Sequence, residues 1–230
     1  MTTVDRRATV RSHGRDARTV ERVVAAVLMP IGPAAVAILR FLILPEPVGE
    51  SVAAQPDTQR AEVWLGMIAL FTLLPGAFCA IRLIRRYTPT MSLCVGATLV
   101  PGYLGLTSLF GLDIAVLSAT QLGLNPVVVD DLSAQIQGQP TVIIMTTVFI
   151  VGHITGTVLL GIASYRARLM PRMFAVLLAV SQPIHLLAVI LVLPWLDLIG
   201  WGLTTVGMGF LGARVLQTSN AEWDPPLEHH

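Results

Sequence analysis

His153 and His185 are the side chains whose type and setting best suit chemistry, since each sits inside a long apolar run. An imidazole titrates near neutral pH and has two nitrogens, so a buried one suits a proton relay, a ligand hydrogen bond or metal ligation. Other polar residues gather at helical spacing around the pair. Thr146, His153, Thr157 and Ser164 fall on one stripe, and Ser181, Gln182 and His185 cluster in a second segment. Pro183 removes a backbone donor there and frees the carbonyl of Ala179.

Tyr103 stands two residues after Pro101, as His185 stands two after Pro183. The candidate ligand-contact set is therefore His153, His185, Gln182, Ser181, Thr157 and Tyr103. Three readings of the two histidines stay open. They may pack as hydrogen-bonded glue between helices, which Gly152, Gly156 and Gly161 favour by letting backbones approach. Alternatively, they mark a ligand or proton path, as ionisable groups at membrane depth commonly do. In the third they hold a haem b iron axially in a membrane oxidoreductase. No carboxylate at the same depth completes a facial triad or di-iron site.

Arg40, Asp113 and Asp197 form a second set at helix ends. Arg40 with Asp113 could close the mouth of a cavity as an ion pair, or Arg40 could snorkel to headgroups; Asp197 reads as a snorkelling residue. Cys79 and Cys94 make neither a disulfide framework nor a zinc pattern. With no lysine among fifteen basic residues, Schiff-base chemistry is excluded. No phosphate loop, dinucleotide motif, nucleophile elbow or zinc-protease motif is present, so the residues point to binding more than to catalysis.

The elements that must carry these residues follow from composition. The 230 residues are 54% hydrophobic and 13% charged, too few charges to coat a soluble domain. Six apolar blocks reach the roughly 20 residues a spanning helix needs: 23–44, 63–84, 91–112, 141–163, 173–193 and 195–215. The expected fold is an all-α polytopic transmembrane bundle with six spans. His153 and His185, about midway along the fourth and fifth, would lie near the bilayer midplane and could face each other. The third helix is expected to run on to Asn125-Pro126, with an outer loop over 125–140 and a short helix after Asp130-Asp131.

Arginine placement orients the bundle. Arg6, Arg7, Arg11, Arg15, Arg18 and Arg22 precede the first block, Arg82, Arg85 and Arg86 follow the second, and Arg166, Arg168 and Arg172 follow the fourth. The opposite loops carry Glu46, Glu50, Asp57, Glu62, Asp130, Asp131 and Asp197, with Arg60 as their one arginine. The positive-inside rule then puts both termini in the cytoplasm of a bacterial plasma membrane. Trp64, Trp195 and Trp201 at outer ends and Tyr87 and Tyr165 at inner ends agree with that orientation.

Residues 1–22 read as a cytoplasmic arm lying on anionic headgroups, 23–215 as the membrane domain and 216–226 as a tail. Residues 227–230 read as the remnant of an expression tag, and no cleavable signal peptide is expected. With a net charge of +1 and no aromatic residues interleaved in the arm, nothing supports nucleic-acid binding. The partners implied are the bilayer and a small-molecule or lipid ligand, and the chain is compatible with a homo-oligomer.

Arg86-Tyr87-Thr88-Pro89-Thr90-Met91 parallels Arg168-Leu169-Met170-Pro171-Arg172-Met173, each followed by a mid-helix proline, Pro101 or Pro183. Either the hairpins are a parallel repeat, as in transporters, or both simply reuse ordinary helix caps. Pro30, Pro33 and Pro75 interrupt two further helices and favour cavities. The stretch from Gly152-His153-Ile154-Thr155-Gly156 through Arg166-Ala167-Arg168-Leu169-Met170-Pro171-Arg172 to Ser181-Gln182-Pro183-Ile184-His185 resembles a family of small six-helix membrane proteins from GC-rich Gram-positive bacteria, a domain of unknown function. The resemblance spans roughly residues 20–215 and implies fold and location, with no catalytic residue. The expected role is binding or transport of a small amphipathic molecule in a mid-membrane polar pocket, with a haem oxidoreductase or a non-catalytic sensor or partner subunit as alternatives.

Overall fold

Prolines in the first turn open most of the helices, because their missing N–H is one that a helix start leaves unbonded anyway. In the computed structural model, which describes residues 17–224, this is how α3 (Pro56–Arg85), α4 (Pro89–Gln121), α5 (Pro126–Gln137), α6 (Pro140–Arg166) and α8 (Pro194–Gln217) begin. The remaining helices are α1 (Ala17–Leu42), α2 (Val48–Ala54), α7 (Arg172–Leu191) and α9 (Asn220–Trp223). Pro30, Pro33, Pro75, Pro101 and Pro183 all lie inside continuous helices.

Six helices, α1, α3, α4, α6, α7 and α8, are long and apolar enough to cross a membrane. They pack as a closed ring in chain order, each on the next, with α8 returning to α1. Large apolar side chains such as Phe71, Leu93, Ile144 and Ile190 point outward and are exposed. That pattern suits a lipid surround, where an apolar exterior carries no penalty. The chain has the architecture of a multi-pass integral membrane protein.

The two ends of the ring differ. At the end holding the start of α1 the interior is solid, filled by Met29, Leu83, Ile84, Val95, Leu211 and Val215. Arg82 ties α1 to α9 there: it pairs with Glu21, reaches Asp224 at 2.8 Å and lies 4.6 Å over the buried Trp223 ring. At the opposite end α2 and α5 cover the last turns of α4, with Val52, Val116, Ala119 and Val129 as a small second core.

Several boundaries correct the sequence reading. Residues 17–22, assigned to the arm, are the first turns of α1, and the Arg22 guanidinium bonds the Thr218 carbonyl. Arg6, Arg7, Arg11 and Arg15 lie outside the described residues, as does the tag remnant at 227–230. The outer loop is helical from Pro126, four residues before Asp130, because the Asn125 side chain accepts the Val127 N–H and caps it. Helix α2 and the first two turns of α3 were unforeseen.

Candidate functional site

The imidazoles of His153 on α6 and His185 on α7 meet, with ring centroids 5.4 Å apart and tilted by 55°. Glycine lets α6 stand close to both neighbours: a Cβ on Gly161 would lie 2.6 Å from the Ala179 nitrogen of α7, and Gly152 faces α4. A Cβ on Gly152 would lie 2.6 Å from the Thr98 carbonyl oxygen and 2.7 Å from the Gly102 Cα. His153 is sandwiched between Phe149, 4.2 Å away and nearly parallel, and Trp201, at 5.7 Å and 14°. Its Nδ1–H donates to the Phe149 carbonyl at 2.5 Å, which leaves Nε2 as a bare acceptor. That Nε2 is buried and without a hydrogen-bond partner, and so is Oε1 of Gln182, whose side chain interacts with the ring.

Gln182 belongs to a chain of hydrogen bonds tying α7 to α8. Its Nε2 donates to Thr204 Oγ1 at 2.8 Å, Thr204 donates to Ser181 Oγ at 2.8 Å, and Ser181 donates to the Leu178 carbonyl. A half-turn of the Gln182 amide would offer its N–H to His153 Nε2 and its oxygen to the Thr204 hydroxyl. Tyr103 meets Thr157 between α4 and α6, and both are buried. These are two polar contacts inside packed helices, one between α7 and α8 and one between α4 and α6.

His185 faces the other way as well. Its Nδ1 lies 2.5 Å from Asp197 Oδ1 and 3.2 Å from the Trp201 indole nitrogen. One nitrogen cannot both donate to the carboxylate and accept the indole N–H; the shorter, charge-assisted contact assigns the proton to Nδ1. Nε2 then remains as an acceptor. Asp197 is 2% exposed, and its second oxygen accepts the Arg40 Nε–H at 2.7 Å. Arg40 on α1, Asp197 on α8 and His185 on α7 thus form one relay across three helices.

The relay borders a cavity of about 300 Å³, lined by all six spanning helices in the half of the ring away from Arg82. Most of its wall is apolar, including Val36, Ala69, Leu106, Leu109, Phe110 and Phe149. Its polar members are Arg40, Glu62, Asp113 and His185, with the Trp201 indole beside them. Neither Glu62 nor Asp113 forms an ion pair within 4.0 Å among the described residues, although Arg40 acts on both through space and the Leu44 backbone hydrogen-bonds the Glu62 carboxyl. Glu62 is 4% exposed, its Oε1 has no partner, and its charge is felt by Asp113 and Arg40. Among the described residues the wall holds no serine, threonine, cysteine or lysine.

Of the six predicted contact residues His185 alone reaches this cavity; His153, Gln182, Ser181, Thr157 and Tyr103 are packed away from its wall. The direct ion pair of Arg40 is with Asp197 and not with the expected Asp113, because the first turn of α8 lies against the last turn of α1; Arg40 acts on Asp113 only through space. Asp197 is a buried hub, so it does not snorkel. Trp201, expected at the interface, is 1% exposed against the imidazoles, while Trp64 and Trp195 are exposed. The haem reading does not fit either, since rings in mutual contact leave no slot for a porphyrin between axial ligands.

Glu62 was missed because it precedes its apolar block by one residue and reads as loop. The signal was Pro56-Asp57, a helix start that places Glu62 inside α3. No family model matches the chain, and no curated protein or solved structure does either.

Proposed function

We propose that this protein binds a small amphipathic molecule within the membrane, and holds or passes it there, with the cavity as its site. One observation carries the reading: a hollow at the lower bound of ligand-pocket size, apolar on most sides, ends in a few convergent polar groups. The apolar part suits an aliphatic or aromatic body, and Arg40, Glu62, Asp113 and His185 suit a polar head. Positive-inside placement of the arginines supports both termini in the cytoplasm of a bacterial plasma membrane, with the cavity in the outer half. The resemblance to six-helix proteins of GC-rich Gram-positive bacteria is compatible with that setting.

The test is thermal stabilisation of the detergent-solubilised full chain by phenylalkyl amphiphiles with neutral, cationic and anionic heads. At least one should raise Tm in a saturable way. Leu106→Trp, or Val36→Phe on another helix, should fill the cavity and abolish the effect. Gln182→Leu, away from the cavity wall, should leave it intact. Stabilisation that survives both filling variants, or no stabilisation by any probe, would end the proposal.

A further inference from the structure

Resting on that binding role, we infer that the molecule the cavity takes is an organic cation, an apolar body carrying an amine or quaternary ammonium, with Glu62 and Asp113 as its counter-charges. Among the described residues the cavity wall carries more carboxyl groups than arginines. Arg40 is the one cationic side chain in the wall, and its Nε–H is committed to Asp197. Arg60, the nearest other arginine in sequence to Glu62, pairs with Asp57 on the surface. Two carboxyl groups therefore face one apolar chamber with Arg40, already bound to Asp197, as the cation they share among the described residues. An unpaired carboxylate away from water is costly, and such groups deep in membrane proteins serve as sites for ions, protons or ligands.

Two features favour a ligand as the missing partner. Glu62 Oε1 is buried and makes no hydrogen bond; the Leu44 backbone bonds the carboxyl but leaves this oxygen without a partner. The apolar wall continues from the carboxyls to the rings of Phe110 and Phe149, surfaces that suit an aromatic or alkyl body and, through their faces, a cationic head. His185, held by Asp197, lines the same chamber.

The experiment uses three probes of one shape: 4-phenylbutyltrimethylammonium, its uncharged isostere with carbon in place of nitrogen, and a phenylalkyl carboxylate of equal length. Thermal stabilisation of the solubilised protein is titrated with each. The cation should reach half-effect at a concentration at least tenfold below the isostere, and the carboxylate should be weaker still. In Glu62→Gln/Asp113→Asn the cation should lose that advantage while the isostere binds as before; if the double variant does not fold, each single variant should reduce the preference. Equal binding of cation and isostere, both blocked by Leu106→Trp, would overturn the inference and leave the binding role standing, as would a preference that survives neutralisation. Failure of all three probes, or indifference to Leu106→Trp, would overturn both.

Discussion

At the residue scale Asp197 is the position on which most depends. A carboxylate that is 2% exposed is tolerable because Arg40 and His185 each bond one of its oxygens. Asp197→Asn leaves the Arg40 guanidinium without its counter-charge and frees the His185 ring to change tautomer. The expected cost is roughly 3 kcal/mol, the low end for a broken buried pair because Arg40 is 26% exposed. Arg40→Leu with Asp197→Asn should cost less than the sum of the two single changes, since the double variant strands no charge. Unfolding titrations in mixed micelles read both quantities. Additive changes below about 0.5 kcal/mol would make the pair a surface contact. The sequence displays Asp197 plainly but gives no sign of its partner. Arg40 lies 157 positions earlier, and only the return of α8 to α1 brings the two together.

At the scale of elements the decisive contacts are backbone on backbone. Where α4 crosses α6, Gly102 and Gly152 face each other so closely that either Cβ would strike main-chain atoms of the other helix. Main chain cannot swing aside as a flexible side chain can, so Gly152→Ala must part the helices or bend one. A loss of about 1–3 kcal/mol is expected, with His153 displaced from Trp201. Gly202→Ala is the control: no atom lies within 4 Å of its Cβ position, and it should be neutral or stabilising by up to about 1 kcal/mol. Equal effects at the two sites, measured by the same titration, would show that helix propensity and not the crossing matters. The glycines at 152, 156 and 161 were legible as a packing face. Which helix they received was not, because spacing on one helix carries no information about its neighbour.

At the scale of the whole molecule, the ring follows chain order, filled where Arg82 ties α1 to α9 and hollow toward the end where α2 and α5 cover the last turns of α4. The orientation proposed from arginine placement makes a direct prediction. In a Cys79→Ala/Cys94→Ala background, Glu50→Cys should react with an impermeant maleimide on intact cells, and Arg86→Cys only after permeabilisation. Both positions are exposed. Labelling in the reverse pattern would invert the topology and put the cavity in the cytoplasmic half.

Hydropathy and arginine placement, both local properties of the chain, determine the six spanning helices, their approximate limits and the expected sidedness. A run of 20 apolar residues must satisfy its own backbone in lipid, and a helix does so without reference to any partner. The meeting of His153 with His185 was also within reach, because a short turn joins their helices. The cavity was not. It is the space left where six helices fail to fill one end of a ring, and its polar groups come from residues 40, 62, 113 and 185. No periodicity links those positions. Packing of side chains against distant neighbours decides which polar residues are buried as partners and which are left facing empty volume.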